Sequence, residues 1–190
     1  MYSRYFTYLT YRTYLTYNTS SSPVDLSQKS IYTIPIAILP IVIGQDQPIL
    51  RAKTKKVPKV TKEILSLIKD MKETTVAAKG AGIAAPQVNR SERVCICMLN
   101  RKLVALINPE IVSKSETLAV AEEGCLSLPD IWLHVPRSVE ILVKFLDVKG
   151  HEQELKLKDF DARVVQHEVD HLEGVLIVDY PHPKLTTPTL

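Results

Sequence analysis

Residues 159–174 read Asp159-Phe160-Asp161-Ala162-Arg163-Val164-Val165-Gln166-His167-Glu168-Val169-Asp170-His171-Leu172-Glu173-Gly174. Acidic residues open the stretch, Phe160, Val164, Val165 and Leu172 supply apolar packing, and Gly174 supplies a stop. Together they predict a helix from about Asp159 to Glu173. Residues four apart on a helix lie on one face about one turn from each other, so the imidazoles of His167 and His171 can grip one metal ion. Glu168 can reach a water at that ion and take its proton, which is the mechanical reason for the HExxH spacing. Asp170, inside the HEVDH motif, is placed to hydrogen-bond a neighbouring backbone or a metal ligand from behind. Histidines at this spacing also occur incidentally on amphipathic helices; the helical setting and the apolar residues upstream favour the metal reading.

Working outward, Thr61 to about Ala78 carries Ile64, Leu65, Ile68 and Met71 at helical spacing and is expected to end at Gly80. Short strands are expected at Arg93 to Leu99, Leu103 to Asn108, Ile131 to Val135, Val139 to Asp147 and Glu152 to Lys158. In the fourth, Val139, Ile141, Val143 and Phe145 alternate with their neighbours, and Lys149-Gly150 turns the chain into the fifth, which predicts an antiparallel hairpin. The fold class is therefore α+β, with mostly antiparallel strands packed around a central metal-binding helix carrying HEVDH.

A catalytic metal site keeps three protein ligands and an open position, so HEVDH needs a partner from elsewhere. Cys125 is the best candidate: it follows Gly124 in Glu122-Glu123-Gly124-Cys125-Leu126-Ser127-Leu128-Pro129, where glycine permits close backbone approach to a ligand. Cys95 and Cys97 read as core residues of one strand, on its opposite faces and without chemistry. The segment Gly80-Ala81-Gly82-Ile83-Ala84-Ala85-Pro86-Gln87 offers small residues that admit an extended substrate, and ends in a side-chain amide able to donate to an oxyanion. It lacks the spacing of a dinucleotide-binding fingerprint.

Composition narrows the classes. The 190 residues, 45% of them hydrophobic, suit one catalytic domain with a sizeable core. The charge balance, 24 basic against 21 acidic residues, has no long basic run, so direct nucleic-acid binding is not expected. Three cysteines argue against a closed disulfide framework and fit a reducing compartment. The longest apolar stretch, around Ile34 to Gly44, is broken by Pro35 and Pro40 and is too short to cross a bilayer, so a soluble, cytoplasmic protein is expected. In residues 1–35, tyrosine recurs at every third position from Tyr2 to Tyr17, a period that matches neither strand nor helix. This low-complexity leader is expected to be disordered or to lie upstream of the true start. A transit peptide, and with it an organelle location, is the alternative, because Arg4 and Arg12 precede the first acid. The catalytic domain is expected over residues 36–180 and a proline-rich tail over 181–190.

Taken together, GAGIAAPQ, EEGCLSLP and QHEVDHLEG, in that order and with strands between them, resemble the three signature motifs of the peptide deformylase family. The similarity extends from about Ile36 to Tyr180 and takes in Pro48-Ile49-Leu50-Arg51, Ile107-Asn108-Pro109 and Val135-Pro136-Arg137. The resemblance implies an enzyme that hydrolyses the N-formyl group from the formyl-Met N-termini of nascent peptides and releases formate. It implies that Cys125, His167 and His171 bind one ion per chain, Fe²⁺ with Zn²⁺ or Ni²⁺ able to substitute, and that Glu168 is the general acid and base. The side chain of Gln87 and the backbone N–H of Leu126 would stabilise the oxyanion. Backbone near Gly82 and Gly124 would hold the peptide extended. Ala81 stands where the family often has a larger aliphatic residue, and Arg163 where an apolar one is common; both are expected at the methionine pocket. The short tail departs from the long C-terminal helix of many bacterial members, which bears on any transient proximity to the ribosome.

Two rival readings remain. A zinc peptidase of the HExxH class would need another histidine or glutamate ligand downstream; Glu173 is too near His171, and His182 lies in the tail. A non-catalytic protein of the same fold would not need both Glu168 and Gln87.

Overall fold

The computed structural model describes residues 37–181. The expected leader and most of the tail lie outside the described residues. The chain runs through α1 (Pro48–Arg51), α2 (Lys62–Ala77), β1 (Gly82–Ala84), β2 (Val94–Leu99), β3 (Lys102–Lys114), β4 (Leu118–Cys125), β5 (Leu128–Ser138), β6 (Glu140–Leu146), β7 (Glu152–Lys158) and α3 (Asp159–Glu173). A 3-10 turn over Ala85–Val88 follows β1, and another over Ile177–Asp179 follows α3. The result is a mixed α/β fold in which both sheets are antiparallel: five strands in the order β1-β2-β3-β6-β7, and the separate hairpin β4-β5.

The five-stranded sheet is covered on both faces, which explains why Val94-Cys95-Ile96-Cys97 is buried at every position instead of alternating with polar residues. On one face Ala84, Cys95, Cys97, Leu106 and Val143 meet Val164, Val165, Val169 and Leu172 of α3. On the other, Ile83, Val94, Ile96, Ala105 and Ile107 meet Ile64, Leu67, Ile68 and Met71 of α2. Each fully buried aliphatic side chain contributes roughly 1.5–3 kcal/mol. Exposed ion pairs such as Lys144 with Glu154, 3.3 Å apart, contribute about 0–1 kcal/mol. The two apolar layers therefore hold the helices on the sheet.

The 139–147 and 152–158 hairpin forms as expected, with Ile141 opposite Leu157 and Val143 opposite Leu155. Cys95 and Cys97, in contrast, do not face opposite sides. Residues two apart on a strand share a face, and these sulfurs lie 3.9 Å apart in the layer under α3. The end of α2 also differs in detail: the left-handed residue is Lys79, at φ 55°, and not Gly80. Gly80 lies close to the next segment instead: a Cβ there would stand 2.9 Å from Leu126 Cδ1 and 3.2 Å from the Gly82 carbonyl. β3 runs on past the expected end at Asn108 to Lys114, with a register shift between Ile107 and Glu110. Asn108 adopts φ 53°, and its side-chain amide bonds both the N–H and the carbonyl of Val57 at 2.8 Å.

Gly174 ends α3 as expected, at φ 78°, and its α-carbon lies against the carbonyl of Arg51. A side chain there meets both backbone strain and a backbone collision. Gly174→Ala is expected to cost about 2 kcal/mol and lower Tm by about 4–8 °C in thermal unfolding; an unchanged Tm would contradict this account of the stop.

Candidate active site

Three segments converge beneath α3. β1 brings Gly82 against the helix, and the turn after it brings Gln87. The end of the β4-β5 hairpin brings Cys125, while α3 supplies His167, Glu168 and His171. The ligand atoms of Cys125, His167 and His171 all lie within 4.8 Å of one another, with Cys125 Sγ 3.2 Å from His171 Nε2. Among the described residues this is the group able to hold a metal ion. A thiolate sulfur with two imidazoles is a donor set suited to a borderline divalent metal with a position left open.

Of the three candidate ligands, His167 is held from behind. His167 Nδ1 is 3.0 Å from Glu123 Oε2, which leaves Nε2 for the site. Glu123, 5% exposed, is in turn gripped by two arginines. Arg137 Nε and Nη2 donate to its two oxygens at 3.0 and 2.9 Å, and Arg163 Nη1 donates at 2.6 Å. Arg137 continues to Asp170 and, at 2.7 Å, to the Tyr180 hydroxyl, which itself donates to Asp170 at 2.7 Å. The partners of Asp170 are thus the Arg137 and Tyr180 side chains. Burial alone would raise the Glu123 carboxyl, but hydrogen bonds from His167 and Arg137 outweigh it and hold the group well below the usual carboxylate range. Burial opposes a charge on His167, yet its contacts with Cys125 and Glu123 prevail and bring it up to about 10. Burial and the neighbouring His167 push His171 well down. A cation held by these three side chains would have to displace the His167 proton.

Glu168 is different in kind. It is 3% exposed, its Oε2 has no hydrogen-bond partner, and burial pushes it up to about 7. A buried carboxyl without a partner costs free energy, so its presence is not explained by stability. His171 Nδ1 is likewise buried without a partner.

A family model described as polypeptide deformylase matches residues 38–186. This chain belongs to the peptide deformylase family. A peptide deformylase of Pseudothermotoga lettingae is 48% identical over 132 residues, 70% of this chain and 77% of that protein. One from Nitrosococcus oceani is 45% identical over 148 residues, 76% of this chain and 87% of that protein. The crystal structure of the Thermotoga maritima peptide deformylase superposes with a TM-score of 0.75 at 41% identity, covering 77% of this chain and 99% of that one. A class I type b peptide deformylase from Acinetobacter baumannii, crystallised with Met-Ala-Ser bound, gives 0.74 at 35% identity over 77% of this chain and all of that one.

The remaining residues of this deformylase fall around that centre. Gln87, 1% exposed, accepts from Ala84 N at 2.8 Å and turns its amide nitrogen toward Ser127 Oγ at 3.2 Å and Cys125 Sγ at 3.7 Å. Leu126 follows Cys125 and packs on Gly80. Ala81 is half-buried beside the layer under α3. Arg163 is buried, and besides Glu123 it binds the carbonyls of Val135 at 2.9 Å and Ala119 at 2.6 Å. Glu173, too near His171 in sequence for the peptidase pattern, is in any case occupied by Lys53 and Arg93, each at 2.7 Å. His182 lies outside the described residues.

The sequence reading missed Glu123, Arg137, Ser127 and Tyr180. The adjacent acids before Gly124-Cys125 were a signal for Glu123: a carboxylate two residues before a ligand, in a strand, points to the same side as that ligand. Gly82 proves to be sterically required. A Cβ there would collide with Glu168 Oε1 and stand 2.8 Å from the Ile96 carbonyl. Gly82→Ala is expected to displace Glu168 and lower kcat/KM about 100-fold, with a smaller loss of Tm; retention of full activity would show that β1 does not set the position of Glu168.

Proposed function

We propose that Cys125, His167 and His171 hold one catalytic Fe²⁺, replaceable by Zn²⁺ or Ni²⁺, with α3 as the central helix that brings two of the three ligands to the strands. The reaction is hydrolysis of the N-formyl group from the formyl-Met terminus of nascent peptides, giving formate and a free amine. The observation that carries the assignment of roles is the buried, unpartnered Glu168 carboxyl beside a Cys, His, His group. When bound, the ion supplies a Lewis acid that polarises the formyl oxygen and lowers the pKa of water.

The protein groups do the rest. Glu168, with its affinity for protons set near neutrality by burial, takes a proton from the attacking water and passes it to the departing amine nitrogen. Gln87 Nε2 and the Leu126 backbone N–H donate to the oxygen that gains charge as the formyl carbon becomes tetrahedral. Glu123 fixes the ring of His167, and the two arginines fix Glu123. Among the described residues β4 pairs only with β5, and β1 only with β2, so a peptide can be held extended between the backbone near Gly82 and near Gly124. Gly82 and Gly124 serve the substrate through their backbone and Ala81 borders the methionine, while Arg163 acts on the pocket through its grip on Glu123 and the hairpin. Transient proximity to the ribosome follows from the substrate, at cytoplasmic or organellar ribosomes according to the role of the leader. Among the described residues no helix is long and apolar enough to cross a membrane.

Cobalt substitution tests the ligand set. Co²⁺-loaded protein is expected to show a thiolate charge-transfer band that Cys125→Ser abolishes while Cys95→Ser and Cys97→Ser retain it. Persistence of the band in Cys125→Ser would remove Cys125 from the site.

A further inference from the structure

Glu123 and Cys125 point inward to the site and are buried, so Gly124 between them faces the other side of the hairpin. Its cross-strand partner is Trp132, and the indole lies across the glycine. A Cβ on Gly124 would stand 2.9, 3.0 and 3.1 Å from three carbons of the six-membered ring. Only glycine lets the ring reach over β4 in this way. Trp132 nevertheless remains 53% exposed, an unusual state for the largest apolar side chain in the molecule, opposite the residue that precedes the proposed metal ligand. The ring extends toward the edge of β4 that no described strand covers.

A peptide added along that edge obeys strand alternation. With the methionine side chain directed inward to its pocket, the side chain of the second residue emerges on the outer face, the face of Trp132. Neighbours across adjacent strands are close enough for an aromatic ring to touch them, and here the intervening position has no side chain. We propose that Trp132 is a specificity-determining residue that receives the second side chain of the formylated peptide and favours aromatic and large apolar groups over acidic ones. Glu122, exposed on the same face and paired with His134, adds repulsion against an acidic second residue. The inference rests on the deformylase reading and on the extended pose at Gly124.

Trp132 is the only tryptophan in the chain, so the wild-type protein carries its own probe. Two measurements are made on the metal-loaded enzyme: tryptophan emission on titration with the product peptide Met-Phe-Ser, and kcat/KM for formyl-Met-Phe-Ser and formyl-Met-Asp-Ser. Emission is expected to shift on saturation with Met-Phe-Ser and not with formate alone. The Phe to Asp preference is expected to fall about fivefold to tenfold in Trp132→Ala and to be largely kept in Trp132→Phe. Formate from both peptides with an unchanged preference in Trp132→Ala, or wild-type emission unmoved at saturating peptide, overturns the assignment of Trp132 alone. Formate from neither peptide overturns the deformylase reading and this inference with it. If Trp132→Ala does not fold, the wild-type emission decides.

Discussion

Glu168→Ala is expected to retain the metal, lower kcat by about 10³-fold and leave Tm unchanged or slightly higher. The combination follows from the unpartnered state of the carboxyl. Its Oε2 makes no hydrogen bond and the group is 3% exposed, so truncation breaks no network and removes a desolvation cost. A structural carboxylate behaves in the opposite way, losing stability first. Metal content, thermal unfolding and formate release on the same preparation separate the two roles. Loss of metal or a large fall in Tm would show that Glu168 holds the site together, and substantial residual turnover would remove it from proton transfer.

Glu123→Ala should give the reverse pattern. Removing this carboxylate strands the guanidinium of Arg137, 3% exposed, and that of Arg163, 10% exposed, and frees the ring of His167. Breaking a buried ion pair by deleting one partner costs about 3–5 kcal/mol, which for a domain of this size lowers Tm by roughly 10 °C. Metal affinity is expected to fall about 10- to 100-fold because His167 loses the group that orients it. Glu123→Gln, which can still accept a hydrogen bond from His167, should recover part of the affinity but little of the stability. Equal metal affinity in wild type and Glu123→Ala, measured by competition with a chelator, would separate the charged network from the site and leave it a purely structural device.

These opposite expectations for two buried glutamates show what the sequence conveyed and what it withheld. HEVDH on a helix is a local pattern: spacing alone places His167 and His171 on one face, and both residues fall within α3. Gly82, Gln87 and Cys125 were legible as small-residue and polar positions in otherwise apolar segments. Their meeting beneath α3 depends on contacts across 38 to 46 residues, such as Gln87 with Cys125 and Cys125 with His171. No periodicity encodes such contacts. β4 escaped notice because Leu118-Ala119-Val120-Ala121-Glu122-Glu123 has no alternation; the hairpin projects from the sheet, leaving Leu118 and Val120 exposed at 58% each. The Glu123 network was illegible for the same reason. Arg137 and Arg163 lie 14 and 40 residues from the carboxylate they share, and only the folded hairpin brings them to it. Arg163, read as a residue of the methionine pocket, is placed by the structure against Glu123 and two carbonyls, so any effect it has on substrate passes through that scaffold.

The most direct test of the central claim is formate release from a formyl-Met tripeptide by freshly prepared, iron-loaded protein, with an acetyl-Met tripeptide as control. The account predicts formate from the first and no acid release from the second. No formate from protein with metal demonstrably bound at Cys125, His167 and His171 would contradict it.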